Sequence, residues 1–185
     1  MKQATRHLER FFATLAKLDQ QPAGISLGFL VSDSPDGTAD QVRRRLPALE
    51  ERYRRVTLVE RDFGFTVPPG LDRWSPAIQA PRRAILAKSR NHLLFHALDD
   101  EEWVLWIDVD VAEYPSNVLT VMLETGKSIV HPHCVVARGG RSFDGNAWRN
   151  KGTVMMDSLR GRELVRLSVS AGPCSSCERI CIAMD

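Results

Sequence analysis

The sequence has few of the features that assign a protein to a class at first sight. Its 185 residues include four cysteines, and three of them (Cys174, Cys177 and Cys181) fall within the last twelve residues, which argues against a disulfide scaffold. The purely apolar runs are no longer than the five residues of Trp103–Ile107, which is too short to span a membrane. The N-terminal residues also lack the apolar stretch of a signal peptide. These absences predict a cytoplasmic protein without a transmembrane segment.

The charge is nearly balanced, with 25 lysines and arginines against 23 acidic residues. A net charge of +2 gives little support to nucleic-acid binding through bulk charge, and none is expected. Apolar residues make up 43% of the chain, which is enough for the core of one domain. The arginines at 43–45 are interpreted as a solvated helix face. Contact with anionic phospholipid is the alternative, and it would place the protein at the periphery of a membrane.

Hydrophobic periodicity predicts helices alternating with strands, and therefore an α/β fold with a mainly parallel sheet. A buried strand is expected over Gly24–Val31, because this apolar run has no polar alternation. Ser75 and Pro76 form a typical helix start. The full set comprises helices over 3–20, 38–54 with a break at Pro47, and 75–98, a short helix opening at Pro115-Ser116, and strands over 24–31, 56–60, 103–110 and 128–130.

The sharpest local signal is a pair of acids that follows an apolar run. Asp108 and Asp110 come directly after Trp103–Ile107. Two carboxylates at positions i and i+2 of a strand end would point to the same side, and a divalent cation such as Mn²⁺ or Mg²⁺ would offset their desolvation. Two ordinary surface acids are the competing interpretation. Ligands of open α/β sheets bind beyond the carboxyl ends of the strands, so Ser32-Asp33-Ser34 is a second candidate.

Histidines offer two further candidate ligand pairs. His131 and His133 follow a predicted strand end, although a loop contact is favoured for them. His92 and His96 lie at i and i+4 of a predicted helix and could bind a metal. Packing or surface exposure is the favoured interpretation of this second pair. Glu113 and Asp144 are two further candidate site carboxylates, and no catalytic base can be assigned.

Five ordered segments together resemble one known family. The segment WVLWIDVDVAEYPSNVLTVMLETGKSIVHPHCV is similar to the core of the Anp1/Van1 mannosyltransferases, glycosyltransferase family 62. The upstream and downstream matches are ISLGFLVSDS from Ile25, RDFG from Arg61, Gln79 with Arg82-Arg83 and the segment LAKSRN from Leu86, and FDGNAW from Phe143. The resemblance covers roughly residues 24–167, and an ordered set of this kind is more specific than any single motif.

The resemblance implies a GT-A fold, which is a nucleotide-sugar-binding α/β domain. It also implies mannose transfer from GDP-mannose, with retention, to a glycan or lipid-linked acceptor. Asp108 and Asp110 would hold Mn²⁺ (or Mg²⁺) and the donor diphosphate. Ser32, Asp33 and Ser34 would lie near the nucleotide base or ribose, and the remaining donor contacts would come from Arg83, Arg90 and Asn91. Glu113 and Asp144 would be candidate carboxylates on the acceptor side.

The last 18 residues differ from the family pattern. After Leu167 the resemblance implies a glycine-rich apolar strand, whereas the chain continues SVSAGPCSSCERICIAMD. Back-translated with GC-rich codons and shifted by two bases, this stretch gives a segment close to that strand. The sequence therefore predicts a partial GT-A domain over 1–167 and an aberrant, frameshifted tail over 168–185 that is not part of the family fold. The cysteine spacing of this tail is not interpreted as a zinc site.

Two alternative functions stay open at this point. A phosphatase of the haloacid dehalogenase type also carries its nucleophile in a D-x-D after an apolar strand. However, that motif normally opens its fold, and about a hundred residues precede it here. A non-catalytic nucleotide-sugar-binding remnant or partner subunit is the other alternative, because the C-terminal region of the family is missing.

Overall fold

The computed structural model describes residues 1–19, 24–72, 75–141, 143, 148–149, 154–155 and 180–184. In chain order the elements are α1 (Thr5–Leu15), β1 (Ile25–Val31), α2 (Thr38–Arg43), α3 (Leu46–Glu50), β2 (Arg55–Glu60), α4 (Pro76–Ala97), β3 (Trp103–Trp106), α5 (Val118–Leu123), β4 (Trp148–Arg149), β5 (Val154–Met155) and β6 (Ile180–Met184). They form two compact units, Met1–Asn117 with Cys177–Asp185, and Val118–Ser176. The α/β class predicted from the sequence is confirmed.

A parallel sheet organises the first unit, and its described strands have the order β2-β1-β6-β3. In the register, Leu27 of β1 lies opposite Val56 of β2 on one side and Ile182 of β6 on the other. Leu105 of β3 lies opposite Ile182 from the far side. Because these strands run in the same direction, the segments that follow them all begin at one edge of the sheet.

Helices cover both faces of β1, as its uninterrupted apolar run predicts. All seven residues of β1 are buried. On one face the ring of Phe29 lies 5.8 Å from the ring of Phe12 in α1, measured between centroids. The neighbouring Gly28 points to the opposite face, where a Cβ at this position would come within 2.8 Å of the Ala97 Cβ of α4. Glycine is therefore required at position 28 for α4 to approach the sheet this closely.

Proline positions account for the helix boundaries. The predicted start of α4 is confirmed, with Ser75 at the N-cap and Pro76 in the first turn. The predicted break at Pro47 is also confirmed, because α2 ends at Arg43 and α3 has Pro47 in its first turn. A proline has no backbone N–H and its φ is fixed, so it begins a helix more readily than it continues one.

The basic residues near α2 make contacts within their own unit. Arg43 pairs with Asp40 at 2.6 Å and also with Glu60. The guanidinium of Arg45 lies 5.1 Å from the centre of the Phe12 ring. These contacts agree with the interpretation of this surface as a solvated helix face.

None of the helices in the described part of the chain combines the length and the apolar character that crossing a bilayer requires.

In the second unit, one strand prediction was wrong. Residues 128–130 form a bend and not a strand. Ile129 is 61% exposed and Val130 is only half-buried, so this three-residue run has no fully buried apolar face that would hold it in a sheet. The strand pairing described in this unit is the short antiparallel contact of β4 with β5, in which Trp148 lies opposite Met155.

The last strand differs from the expectation for the tail. Residues 168–185 were expected to stand apart from the fold, yet Ile180–Met184 form β6, which lies between β1 and β3. The Ile182 side chain is completely buried. Residues 168–179 lie outside the described part of the chain, so the division at residue 167 stays a prediction for them.

Candidate functional site

The candidate site lies where the strands of the first unit end. Ser32-Asp33-Ser34 follow β1, Arg61 and Asp62 follow β2, and Asp108 and Asp110 follow β3. Neighbouring strands are about 4.8 Å apart, so β1 and β3, which have β6 between them, are separated by roughly 10 Å. The sheet therefore brings the two predicted clusters to one edge, within the length of a small ligand.

Asp33 ties the loop after β1 to the loop after β2. Its carboxylate accepts the Ser32 hydroxyl at 2.8 Å and the backbone N–H groups of Phe63 at 3.2 Å and Gly64 at 3.1 Å. Its own N–H donates to the Asp62 carboxylate at 2.5 Å. Burial alone would raise the pKa of Asp33, but these hydrogen bonds hold it below its usual value, so the group is ionised.

The backbone of Asp33 is also unusual. Its φ is 47°, a left-handed value that aspartate tolerates better than most residues. This conformation, the bond from the Asp33 N–H to Asp62 and the bonds from Phe63 and Gly64 to its carboxylate mean that Asp33 shapes the site. The ligand contact predicted for it from the sequence stays a prediction.

Ser34 is held by a second carboxylate, that of Asp36. The Ser34 hydroxyl donates to Asp36 at 3.0 Å and accepts the Gln3 N–H at 2.6 Å. Asp36 also accepts the hydroxyl of Thr38 at 2.7 Å and the Thr38 N–H at 3.2 Å. Burial would raise the pKa of Asp36, but the hydroxyl and N–H donors lower it to about 2. Asp36 was not among the predicted site residues. Its place at the start of α2, two residues before a buried threonine, is the signal that could have identified it.

An open depression of about 470 Å³ lies at the ends of β1 and β2. Three carboxylates (Asp33, Glu60 and Asp62) and a single cation, Arg61, contribute to its lining. Such a lining accepts hydrogen bonds from hydroxyl and amino groups and repels phosphate. The complete lining is Val31, Asp33, Ser34, Pro35, Ala39, Glu60, Arg61 and Asp62. Glu60, Arg61 and Asp62 were not among the predicted site residues, although the rule that ligands bind beyond strand ends, applied to β2, identifies them.

Asp108 and Asp110 lie in a turn and not in a strand. β3 ends at Trp106, and the Val111 N–H donates to the Asp108 carbonyl at 3.1 Å. The expectation that both carboxylates share one face of a strand therefore does not apply. The Asp108 side chain is 66% exposed, and one carboxylate oxygen lies 3.8 Å from the Arg90 guanidinium. The backbone of Asp110 is held at its carbonyl, which accepts an Arg10 N–H at 3.2 Å.

A second open depression, of about 450 Å³, brings together the three residues predicted for donor binding. Arg83, Arg90 and Asn91 line it at helical spacing on α4, together with Leu86, Ala87, Leu94 and Trp106. The Arg90 guanidinium lies 5.2 Å from the centre of the Trp106 ring. The lining contains two guanidinium groups and no carboxylate, which suits an anion, and guanidinium is well matched to phosphate oxygens.

Two predicted carboxylates are not joined to these depressions. Glu113 is exposed in the segment after β3, and Asp144 lies outside the described residues. His131 and His133 are exposed in the second unit.

The donor set at Asp108 and Asp110 fits a hard divalent cation. Within the described residues, no group of three or more histidine, cysteine or acidic side chains is arranged to hold a metal. Mg²⁺ and similar ions, however, are commonly held by one or two carboxylates, with substrate phosphates and waters completing the shell. Asp108 and Asp110 are both exposed, and Asp108 lies 3.8 Å from Arg90, which lines the second depression, so the pair offers the type of oxygen ligand that such an ion takes.

Comparisons with known proteins identify the family of the chain. The Anp1 family model matches residues 1–163. The chain is 32% identical over 141 residues to the mannan polymerase II complex anp1 subunit of Schizosaccharomyces pombe, covering 72% of this chain and 33% of the relative. It is 29% identical over 174 residues to the mannan polymerase II complex ANP1 subunit of Saccharomyces cerevisiae, covering 86% and 35%.

A third relative is the mannan polymerase complex subunit mnn9 of S. pombe, which is 28% identical over 170 residues and is matched over 86% of this chain and 48% of its own. The chain thus spans between a third and a half of the length of these relatives. No solved structure matches. With a family match over most of its length, the chain belongs to the Anp1 family.

Proposed function

We propose that this chain is a glycosyltransferase domain of the GT-A type that binds a nucleotide sugar, with GDP-mannose as donor, and transfers mannose with retention to a glycan or lipid-linked acceptor. The observation that carries the proposal is that Arg90 connects the predicted donor-binding residues of α4 with the predicted metal ligand Asp108. Arg90 lines the anion-binding depression together with Arg83 and also approaches Asp108, at 3.8 Å. The names of the relatives, subunits of mannan polymerase, support mannose as the sugar.

The two depressions would bind different parts of the donor molecule. The diphosphate would meet Arg83 and Arg90, because two guanidinium groups that line one depression are well matched to phosphate oxygens. The ribose or base, which offers hydroxyl and amino donors, would meet the acidic depression around Asp33 and Asp62. Asp108 and Asp110 would hold Mn²⁺ or Mg²⁺, which when bound supplies positive charge to the leaving diphosphate.

The test is binding of a nucleotide panel to the full chain, followed by thermal unfolding. GDP, GDP-mannose, UDP and ADP are each added with and without Mn²⁺. A ligand at a hundred times its dissociation constant should add about 2.7 kcal/mol to the free energy of unfolding. We expect Mn²⁺-dependent stabilisation by the guanosine nucleotides, lost in Asp108→Ala/Asp110→Ala. Asp72→Ala, which removes an exposed carboxylate outside both depressions, is the matched control.

A second pair of variants tests the anion-binding depression. Arg83→Gln/Arg90→Gln should abolish nucleotide binding, and Lys88→Gln, which removes a cation from the same helix but outside the depression, should not. Cooperative unfolding with no response to any nucleotide would contradict the proposal. Hydrolysis of p-nitrophenyl phosphate that is lost in Asp108→Ala would favour the phosphatase alternative instead.

A second candidate is a non-catalytic nucleotide-sugar-binding subunit. The relatives are named as subunits of complexes, and the chain spans only part of their length. This candidate predicts donor binding without turnover, so a radiolabelled GDP-mannose transfer assay with and without a second family member separates the two. The cytoplasmic location expected from the sequence stays a prediction.

A further inference from the structure

Two histidines on α4 are arranged as a pair of potential metal ligands. The rings of His92 and His96 lie 4.3 Å apart between centroids, with 52° between their planes. Residues at i and i+4 of a helix share a face, so both rings lie on one side of α4. His96 is exposed and His92 is half-buried. Neither residue lines the two depressions of the candidate donor site.

The hydrogen bond of His96 determines which of its nitrogens is free to bind. Its Nδ1 lies 2.8 Å from the backbone carbonyl oxygen of His92. A carbonyl oxygen can only accept, so Nδ1 carries the proton, and the neutral ring has its lone pair on Nε2. Metal-binding histidines usually donate their second N–H to a carbonyl or carboxylate in this way, which fixes both the tautomer and the ring orientation.

His92 is restrained and kept neutral by its surroundings. Its ring meets the ring of Phe63 edge-on, with 6.1 Å between centroids and 84° between planes. Burial lowers the pKa of His92, and the nearby charges of His96 and Arg61 lower it further. At neutral pH the ring therefore has no proton to release before it binds a metal.

We propose that His92 and His96 form a two-histidine binding site for a divalent first-row transition metal such as Ni²⁺ or Zn²⁺, with waters or an external ligand completing the shell. Imidazole nitrogen suits these ions, whereas the oxygen ligands Asp108 and Asp110 suit Mg²⁺ and Mn²⁺. The site thus differs from the proposed donor-metal site in its residues and in the ion it selects. Arg61, whose guanidinium lies 5.7 Å from the centre of the Phe63 ring, is the charge that opposes the bound cation.

The experiment is a calorimetric titration of the full reduced chain with Ni²⁺ at neutral pH. His92→Gln and His96→Gln are compared with His7→Gln and His133→Gln, which remove histidines from α1 and from the second unit. Glutamine favours helix, so the α4 variants should keep their fold, and circular dichroism checks this. We expect each α4 variant to lose one equivalent of bound ion or at least tenfold in affinity, and the two controls to match the wild type.

Two further measurements make the result specific. Arg61→Gln should tighten Ni²⁺ binding, because it removes the opposing charge. The imidazole proton resonances of His92 and His96 should shift or broaden together on addition of the ion. Equal stoichiometry and affinity in wild type, His92→Gln and His96→Gln would overturn the proposal, and so would a wild type that binds no Ni²⁺.

Discussion

The carboxylate of Asp33 accepts the backbone N–H of Gly64 at 3.1 Å, and through this bond the end of β1 holds the loop that follows β2. A bond from an N–H to an ionised carboxylate is stronger than one between neutral groups. The same carboxylate also accepts the Phe63 N–H. The depression lined by Asp33, Glu60 and Asp62 therefore has one wall held in place by Asp33, the residue predicted from the sequence to contact the nucleotide.

Replacing Asp33 should loosen that loop before it affects chemistry. Asp33→Ala leaves the N–H groups of Phe63 and Gly64 without their acceptor, and we expect a loss of roughly 1–3 kcal/mol in the free energy of unfolding. The measurement is urea unfolding, together with amide exchange at these two residues. Asp72→Ala is the control, and an equal loss in both variants, or unchanged exchange at Phe63 and Gly64, would contradict this role.

Asp36 should make stability depend on pH in the acid range. Its pKa is lowered from 3.8 to about 2 in the folded protein. A carboxyl group with a depressed pKa stabilises the fold above its unfolded pKa, and that contribution is lost as the pH falls through the folded value. The stability difference between wild type and Asp36→Asn should therefore be constant above about pH 5 and should shrink between pH 4 and pH 2. A difference that does not change over this range would show that Asp36 is not the group responsible.

Much of the first unit could be predicted because its signals are local. The run Ile25–Val31 contains no polar alternation that would fit a half-exposed strand, and Pro76 favours a helix start because its own ring fixes φ near the helical value. The roles of Asp33 and Asp36 could not be predicted, because their partners lie in other segments of the chain. Phe63 and Gly64 are about thirty residues from Asp33, and no periodicity joins them.

Gly28 should not tolerate a side chain. An alanine Cβ there would lie 2.8 Å from the Ala97 Cβ, and neither methyl group can rotate away. We expect Gly28→Ala to cost about 1–3 kcal/mol, the usual cost of overpacking a core. Ala97→Gly should recover part of this loss in the double variant, although on its own it destabilises the helix. Purely additive effects in the cycle of wild type, both single variants and the double variant would contradict the close approach.

The strand β6 lies within the segment that was expected to stand apart from the fold. Residues 180–184 read ICIAM, a short apolar run typical of a strand buried on both faces. The departure from the family pattern after Leu167 led instead to the expectation of a tail outside the fold. In the structure this run lies between β1 and β3, in agreement with its hydrophobic pattern.

Ile182 therefore provides the test of β6. Its side chain is completely buried between two strands, so Ile182→Ala should cost about 2–5 kcal/mol, as other buried large-to-small changes do. Ile129→Ala is the matched control, because the Ile129 side chain is 61% exposed and its truncation should change stability by less than about 0.5 kcal/mol. Both variants are measured by urea unfolding of the full chain.

If Ile182→Ala destabilises the protein as little as the control does, the tail does not support the sheet and the frameshift hypothesis gains weight. Resequencing the gene across the codons for residues 168–171 then decides that hypothesis. If the loss is large, Ile182 is part of the core of the sheet, and a chain ending before β6 should no longer unfold cooperatively, because β3 would lose the strand that joins it to β1.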